Sequence, residues 1–296
     1  MPRSKIQAPK ILVIVGETAS GKSALATSLA QQFDGELICA DSSTIRTGLD
    51  IGSAKPSLED QKTVKHHLLD VAAPDDSFSA AKFKELANEA ITDIAKRGKL
   101  PIMVGGSGLY VDSVLYDYEF LPASDPKERE LLCKLSIKDL LSVARGRKLD
   151  VSDIDTANKV RLVRFIQTNG KVPERKPLRD NTLILGLQPD RQQLGEQIQE
   201  RVEQMIENGL EQEVEQLASK YGWQSEGLKA VGYREWRDYF LDKKSLDRTR
   251  AEIIKDTKNL SKKQRTWFKR NKSIQWIATP VNQQEAVDLV TTFINE

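Results

Sequence analysis

Cysteine and histidine are scarce in this chain, and their scarcity excludes several classes of protein. Among 296 residues there are two cysteines, Cys39 and Cys133, and two histidines, His66 and His67. Two cysteines cannot build a disulfide framework. They also lack the CxxC or CxxxxC spacing of a zinc finger, and two adjacent histidines are too few for a His-rich metal cage. Such cysteine usage is typical of a reducing compartment, so we expect a soluble, cytoplasmic protein.

Long apolar runs and a large net charge are also missing. Only residues 11–15 form an apolar run behind the basic N-terminus, which is too short for a signal peptide or a membrane span. Lysine and arginine number 45 against 43 acidic residues, a net charge of +2, so a nucleic-acid surface would require local segregation of charge. With 39% hydrophobic residues the chain can form a core, and its length predicts about two domains.

Short apolar runs alternate with helical patterns through the first third of the chain. This alternation predicts right-handed crossovers and a mostly parallel α/β sheet flanked by helices. We expect strands at 11–15, 37–40, 67–71, 101–104, 182–187 and 274–277, and helices at 22–33, 79–96 and 283–294.

The region 121–180 differs from its surroundings because it contains no strand pattern. It reads as short helices, and a core strand follows it at 182–187. We therefore expect a small, inserted, all-helical domain at 121–180. The remaining segments, 1–120 and 181–296, would form the core domain, with a C-terminal region that is mainly helical from 190 to 271.

The strongest motif is GETASGKS at Gly16–Ser23, which matches GxxxxGK[ST] in full. It follows an apolar strand and precedes a helical pattern, as a phosphate-binding loop requires. The glycines let successive N–H groups face phosphate oxygens, and the helix N-terminus adds positive potential. Lys22 supplies a charge, and the Ser23 hydroxyl can reach a Mg²⁺ ion. The motif predicts a di- or triphosphate site on a P-loop NTPase-like sheet, without predicting hydrolysis of a nucleotide.

Asp41 ends the second strand pattern, at the edge of the sheet where the phosphate loop lies. Ligands of parallel sheets bind beyond the carboxyl ends of the strands, where the glycine-rich turn 105–108 also falls. The Asp41 carboxylate could bind a metal ion, act as a general base or cap the turn at Ser42 and Ser43. The residues alone leave these three roles open.

Basic residues are concentrated in two segments of the chain. Residues 255–272 contain eight basic residues against Asp256 alone, and residues 159–179 contain seven against Glu174 alone. Trp267 and Phe268 lie within the first of these segments. Basic side chains interleaved with aromatic rings suit an RNA backbone and its bases, and the competing interpretation is a solvated helix face.

Several blocks of sequence together resemble one family, the bacterial-type tRNA dimethylallyltransferases (tRNA isopentenyltransferases, the IPP transferase family). The joint presence of DIGSAKP, VGYRE and a phosphate loop is the most specific part of the likeness. The blocks are GETASGKS at 16–23, ADSSTIRTGLDIGSAKP at 40–56, HHLLD at 66–70, FSAAKF at 78–83, VGGSGLY at 104–110, RLVR at 161–164, VGYRE at 231–235 and KNLSKKQRTWFKR at 258–270.

The resemblance implies an activity and a set of residues. The family transfers a dimethylallyl group from dimethylallyl diphosphate to N6 of adenosine 37 in tRNAs that read codons starting with U, with Mg²⁺ assisting. The implied catalytic residues are Asp41 as general base, Lys22, and Ser23, which would also hold the metal. The implied diphosphate-binding residues are Gly16, Glu17, Thr18, Ala19, Ser20, Gly21, Lys22 and Ser23. The implied tRNA-binding residues are Asp41, Ser42, Ser43, Thr44, Ser107, Val160, Arg161, Leu162, Val163, Arg164, Lys229, Gly232, Tyr233, Arg234, Lys262, Lys263, Gln264, Arg265 and Lys269.

The resemblance also assigns partners, and other functions remain as alternatives. The domain at 121–180 would grip the anticodon stem, no membrane partner is expected, and a monomer is the default. An adenylate isopentenyltransferase would have no use for the basic segment at 255–272 or for the inserted domain. A P-loop small-molecule kinase would turn over ATP without affinity for tRNA, and a non-catalytic RNA-binding protein would tolerate loss of Asp41 and Ser23.

Overall fold

The computed structural model describes residues 8–121 and 125–296. The chain divides into two compact units, one formed by the residues up to Leu115 together with Leu178–Glu296, and one formed by Tyr116–Pro177. The bounds of the second unit lie within a few residues of those expected for the inserted domain. Among the described residues, no helix is both long enough and apolar enough to cross a membrane.

The first unit is built on a six-stranded sheet in the order β3-β2-β4-β1-β5-β6. All of its pairings are parallel, which confirms the predicted α/β class. The central strand β1 pairs with β4 on one side and β5 on the other, so the phosphate loop leaves the middle of the sheet. The strands are β1 (Ile11–Gly16), β2 (Gly35–Cys39), β3 (His66–His67), β4 (Leu100–Gly105), β5 (Thr182–Gln188) and β6 (Ile274–Ala278).

The described helices include three, α5 to α7, that belong to the second unit. In chain order they are α1 (Lys22–Gln32), α2 (Leu58–Thr63), α3 (Ala80–Lys96), α4 (Gly108–Leu115), α5 (Pro126–Lys134), α6 (Ile137–Gly146), α7 (Lys159–Gln167), α8 (Arg191–Glu207), α9 (Leu210–Tyr221), α10 (Leu246–Phe268) and α11 (Gln283–Asn295). Two short 3₁₀ turns, at Gly227–Lys229 and Arg234–Trp236, separate α9 from α10.

The sheet forms because its strands are apolar and buried along their length. All six residues of β1 and all six of β4 are buried. Leu12 and Ile14 pack in one cluster with Leu25 and Leu29 of α1 and with Val290 of α11. Burial of each such side chain stabilises the fold by about 1.5–3 kcal/mol.

The third strand is shorter than predicted. The pattern at 67–71 predicts five residues of strand, but pairing with β2 involves only His66 and His67. Leu68 and Asp70 adopt φ angles of +63° and +55°, which are incompatible with an extended chain. The segment after His67 therefore turns away from the sheet.

The second unit, taken by itself, is a small helical body. Side chains from α5, α6 and α7 form its core, among them Leu132, Leu140, Leu162 and Ile166. The N-termini of the three helices are capped by the side chains of Asp125, Ser136 and Asn158, which satisfy backbone N–H groups of the first turn.

Candidate active site

The phosphate loop joins β1 to α1 at the carboxyl edge of the sheet. Gly21 precedes the helix in the left-handed conformation, with a φ of +85°. Lys22 begins α1, and its Nζ lies 3.2 Å from the carbonyl oxygen of Glu17. Burial lowers the pKa of Lys22 to about 8, an effect that Asp41 opposes and Arg201 reinforces. The lysine thus shares one electrostatic environment with the Asp41 carboxylate, which follows β2, and with the Arg201 guanidinium of α8.

Helix α10 holds one side of the phosphate loop in place. The N–H of Thr18 donates to Oε1 of Gln264 at 2.8 Å. The buried carboxylate of Glu17 accepts from Arg191 Nη1 at 2.9 Å and from the hydroxyl of Ser261. The Thr18 amide and the Glu17 carboxylate are therefore bonded within the protein, which leaves phosphate binding to the other members of the loop.

Asp41 caps a turn, as one of its three possible roles requires. Its Oδ1 accepts a hydrogen bond from the N–H of Ser43 at 2.8 Å. Among the described residues, Oδ2 accepts no hydrogen bond. Capping therefore fixes the orientation of the carboxylate and leaves one oxygen for chemistry.

The loop after β4 lies against Asp41's turn and against α10. The hydroxyl of Ser107 accepts from the N–H of Ser42 at 3.0 Å. A Cβ atom at Gly106 would approach Nε2 of Gln264 to 2.2 Å, so any larger residue would displace the side chain that binds the Thr18 N–H. Trp267, one turn further along α10, donates from Nε1 to Asp112 of α4 at 2.9 Å.

These elements enclose a cavity of about 380 Å³ in the first unit. Its volume lies within the range usual for small-molecule sites. One part of its lining is polar: Thr18, Asp41, Ser42, Ser43, Ser107, Arg201, Lys263 and Gln264. Another part is apolar: Val202, Met205, Val231, Ile253, Leu260 and Trp267. The cavity can hold a phosphorylated apolar group beside a carboxylate.

Arg201 is a candidate site residue that lies outside the sequence motifs. It lines the cavity from α8, and burial lowers its pKa while the charge of Asp41 opposes that shift. Within residues 8–121 and 125–296, its guanidinium has no hydrogen bond or ion pair. A signal was present in the sequence, because Arg201 follows Leu194 and Ile198 on the apolar stripe of an amphipathic helix.

Comparison with known proteins decides the family. A family model described as IPP transferase matches residues 45–271. The chain belongs to the IPP transferase family. The tRNA dimethylallyltransferase 1 of Pelobacter propionicus is 37% identical to it, over 92% of this chain and 93% of the relative. The tRNA dimethylallyltransferase of Staphylococcus epidermidis (strain ATCC 35984) is 32% identical, over 97% of this chain and 92% of the relative.

A solved structure supports the same assignment for this member of the IPP transferase family. The tRNA isopentenylpyrophosphate transferase of Bacillus halodurans is similar with a TM-score of 0.75 and 31% identity, over 97% of this chain and 96% of that chain. The predicted resemblance and the P-loop NTPase-like fold are confirmed. The chain is therefore a transferase, and the names of its relatives favour prenyl transfer over a small-molecule kinase or an adenylate isopentenyltransferase.

The tRNA-binding residues that the family resemblance implies fall into three groups in the first unit. The first group lines the cavity and comprises Asp41, Ser42, Ser43, Ser107, Gly232, Lys263 and Gln264. The second group is exposed or half-exposed outside it and comprises Lys229, Arg234, Lys262, Arg265 and Lys269. The third group, Thr44 and Tyr233, has buried side chains.

In the second unit, the helical periodicity of α7 divides the implied tRNA-binding segment 160–164 into exposed and buried side chains. Val160 and Arg161 are exposed, and Arg164 donates to the carbonyl of Leu121 at 2.8 Å. Leu162 and Val163 are buried in the core of the unit. Only the exposed members of the segment have side chains available to an RNA in this structure.

Proposed function

We propose that this chain transfers a dimethylallyl group from dimethylallyl diphosphate to N6 of adenosine 37 in tRNAs that read codons starting with U. The observation that carries the proposal is the shared cavity of Thr18, Asp41 and Arg201 with an apolar wall. Arg201 offers positive charge to a diphosphate, the apolar wall suits a five-carbon chain, and Asp41 supplies a carboxylate that can take a proton. Because tRNA is the acceptor, we place the reaction in the cytoplasm.

In the proposed reaction the N6–C1 bond forms as the bond between C1 and the diphosphate oxygen breaks. An exocyclic amine is a weak nucleophile, so a carboxylate that takes its proton lowers the barrier. Asp41 is suited to this because the Ser43 amide fixes Oδ1 while Oδ2 can receive the proton. Lys22, Arg201 and loop N–H groups would stabilise the negative charge that develops on the leaving diphosphate.

We propose Mg²⁺ as the metal, held by the hydroxyl of Ser23. The donor chemistry fits, because Mg²⁺ takes oxygen ligands and fills most of its coordination sphere with water and substrate phosphates. Among the described residues there is no cluster of three or more histidine, cysteine, aspartate or glutamate side chains that could hold a metal alone. When bound, the ion would neutralise charge on the diphosphate.

The acceptor side of the proposal rests on the charges of α10. Lys262 and Lys263 are exposed on this helix and Lys269 is exposed directly after it, while Ser261 and Gln264 face the phosphate loop. Adenosine 37 would have to leave the stack of the anticodon loop to enter the cavity, as in other enzymes that modify a base. We further propose that the helical unit grips the anticodon stem and that the enzyme acts as a monomer.

The first test of the function is a labelling experiment. Wild-type protein is incubated with Mg²⁺, labelled dimethylallyl diphosphate and unmodified tRNA that carries adenosines at positions 36 and 37, with AMP in a parallel reaction. We expect label in the tRNA and none in AMP. Label in AMP alone would assign the chain to adenylate prenylation, and ATP turnover without label in either acceptor would assign it to the kinases.

Reversal of charge on α10 should weaken tRNA binding and its dependence on salt. Each lysine that contacts a phosphate contributes roughly 0.7–0.9 to the slope of log K against log salt concentration. We therefore expect the K262E/K263E variant to bind tRNA more weakly with a slope reduced by about 1–2. Fluorescence anisotropy across a salt series measures both quantities.

A matched control for that variant is K96E. Lys96 is also an exposed helical lysine, but it ends α3, just before the amino end of β4 and away from the phosphate loop. K96E should bind tRNA with the wild-type slope. If K262E/K263E and K96E share one slope, α10 lies outside the tRNA interface.

The pKa of Lys22 predicts a loss of activity at alkaline pH. The free enzyme loses the positive charge as pH rises through about 8, and the neutral amine binds diphosphate less well. We expect kcat/KM for the donor to fall above this pH, with kcat less affected because bound diphosphate raises the pKa of Lys22. In K22R the guanidinium stays charged, so the alkaline fall should disappear even though the variant is slower. Persistence of the fall in K22R would assign it to another group.

A further inference from the structure

One carboxylate behind the cavity wall accepts an unusual number of hydrogen bonds. Glu213, on α9, receives the backbone N–H groups of Asp50, Ile51 and Gly52 at 3.2, 2.8 and 3.1 Å. It also receives the hydroxyl of Tyr233 at 2.7 Å. Four donors therefore converge on one side chain that no motif singled out.

Through Glu213, this arrangement joins residues 50–52 to Tyr233, which lies far from them in sequence. Consecutive N–H groups that point the same way form a concave site for an anion, and here the anion is supplied by Glu213. Hydrogen bonds to an ionised acceptor are about twice as strong as neutral ones. Tyr233 is fully buried, and its burial together with the charge of Glu213 raises its pKa well above the usual value, so it stays a donor.

The two joined segments pack directly on each other and both reach the cavity. A Cβ atom at Gly52 would lie 2.6 Å from Cζ of Tyr233, so the ring rests on the glycine backbone. The N–H of Gly232 is held at 2.9 Å by Oε2 of Glu235. Gly52, Ser53 and Gly232 line the cavity, whereas Glu213 and Tyr233 support them from behind.

The chemistry of this wall suits the acceptor base more than the donor. The Ser53 hydroxyl donates to the carbonyl of Leu49, and its oxygen can still accept a hydrogen bond from an N–H group, which an isoprenoid chain lacks. Since Glu213 already fills the anion site of Asp50–Gly52, the wall would not attract the diphosphate, whose binding falls to Lys22 and Arg201. A neutral, polar, flat group such as adenine fits such a surface.

We propose that Glu213 is a positioning residue that sets the geometry of the acceptor base through the 50–53 and 231–233 segments. This inference rests on the proposed function of tRNA prenylation. Loss of the Glu213 carboxylate should impair the productive placement of the base. It should not weaken binding of the rest of the tRNA or of the donor. A misplacement of about 1 Å can cost on the order of 100-fold in rate.

The test compares E213Q with E211Q. Glutamine at 213 keeps the shape but sets an NH₂ group against backbone N–H donors. Glu211 lies on the same helix and also accepts from a tyrosine, Tyr239, at 2.9 Å, without touching the 50–53 segment. We expect E213Q to lose about 10–100-fold in kcat/KM for tRNA, with the donor KM and the tRNA Kd within about twofold of wild type. E211Q should match wild type in all three.

A second variant guards against a general loss of structure. Y233F removes only the hydroxyl donor and should show a smaller decrease in kcat/KM for tRNA, again without a change in the donor KM or the tRNA Kd. Thermal unfolding is recorded for all variants. Wild-type rates in E213Q, or an equal decline of donor and acceptor parameters, would overturn the positioning role. Absence of tRNA prenylation by the wild-type protein would instead overturn the proposed function, and the inference with it.

Discussion

Asp41→Asn is expected to lower the rate of the chemical step by about 10²–10⁴-fold while tRNA binding stays near that of wild type. The amide oxygen of asparagine can still accept the N–H of Ser43, so the turn that Oδ1 now caps at 2.8 Å is retained. What the variant loses is the negative charge and the proton-accepting Oδ2. Single-turnover prenylation with bound tRNA measures the step, and anisotropy measures binding.

Asp41→Ala separates the structural role of Asp41 from the chemical one. Alanine removes both the cap and the base, so D41A should be as slow as D41N and somewhat less stable, by about 0.5–2 kcal/mol. A matched control is D190N, because Asp190 also accepts the N–H two residues later, at 2.9 Å, but caps α8 outside the cavity. Near-normal turnover in D41N together with slow turnover in D41A would reduce Asp41 to a turn cap.

The sheet and the loops at its edge were predictable because their signals are local. An apolar run buried along its whole length, as in β1 and β4, marks a strand without reference to the rest of the chain. The ends of the predicted strands are enough to place three features at one edge of the sheet: the phosphate loop, the aspartate after β2 and the serine after β4. The structure places Thr18, Asp41 and Ser107 on one cavity, as that topology requires.

Other features could not be predicted from the local sequence because contacts with distant residues determine them. The glycine-rich turn at 105–108 obscures the start of α4, which begins at Gly108 and packs against Trp267 of α10. Glu213 has an ordinary place on the polar face of α9, and only its contacts with residues more than 160 positions earlier distinguish it. The family resemblance implies that Leu162 and Val163 contact RNA, but their positions in the helical repeat of α7 place both side chains in the core of the second unit.

The variant R201M is expected to show two effects of opposite sign. Its kcat/KM for the donor should fall by about 100-fold, since the cavity loses a cation that is available to the diphosphate. Its thermal stability should be unchanged or higher, because a guanidinium that is unpaired among the described residues is replaced by an apolar side chain of similar length. The two effects together are typical of a functional charge kept at the expense of stability.

The companion variant R201K distinguishes charge from shape. Lysine restores the positive charge without the planar fork of the guanidinium, so R201K should recover part of the donor kcat/KM and lose the gain in stability. Because Arg201 helps to lower the pKa of Lys22, the alkaline fall in R201M should also begin at a higher pH than in wild type. A fall in stability that parallels the fall in activity of R201M would show that Arg201 supports the fold, and donor binding would then depend on Lys22 and the loop alone.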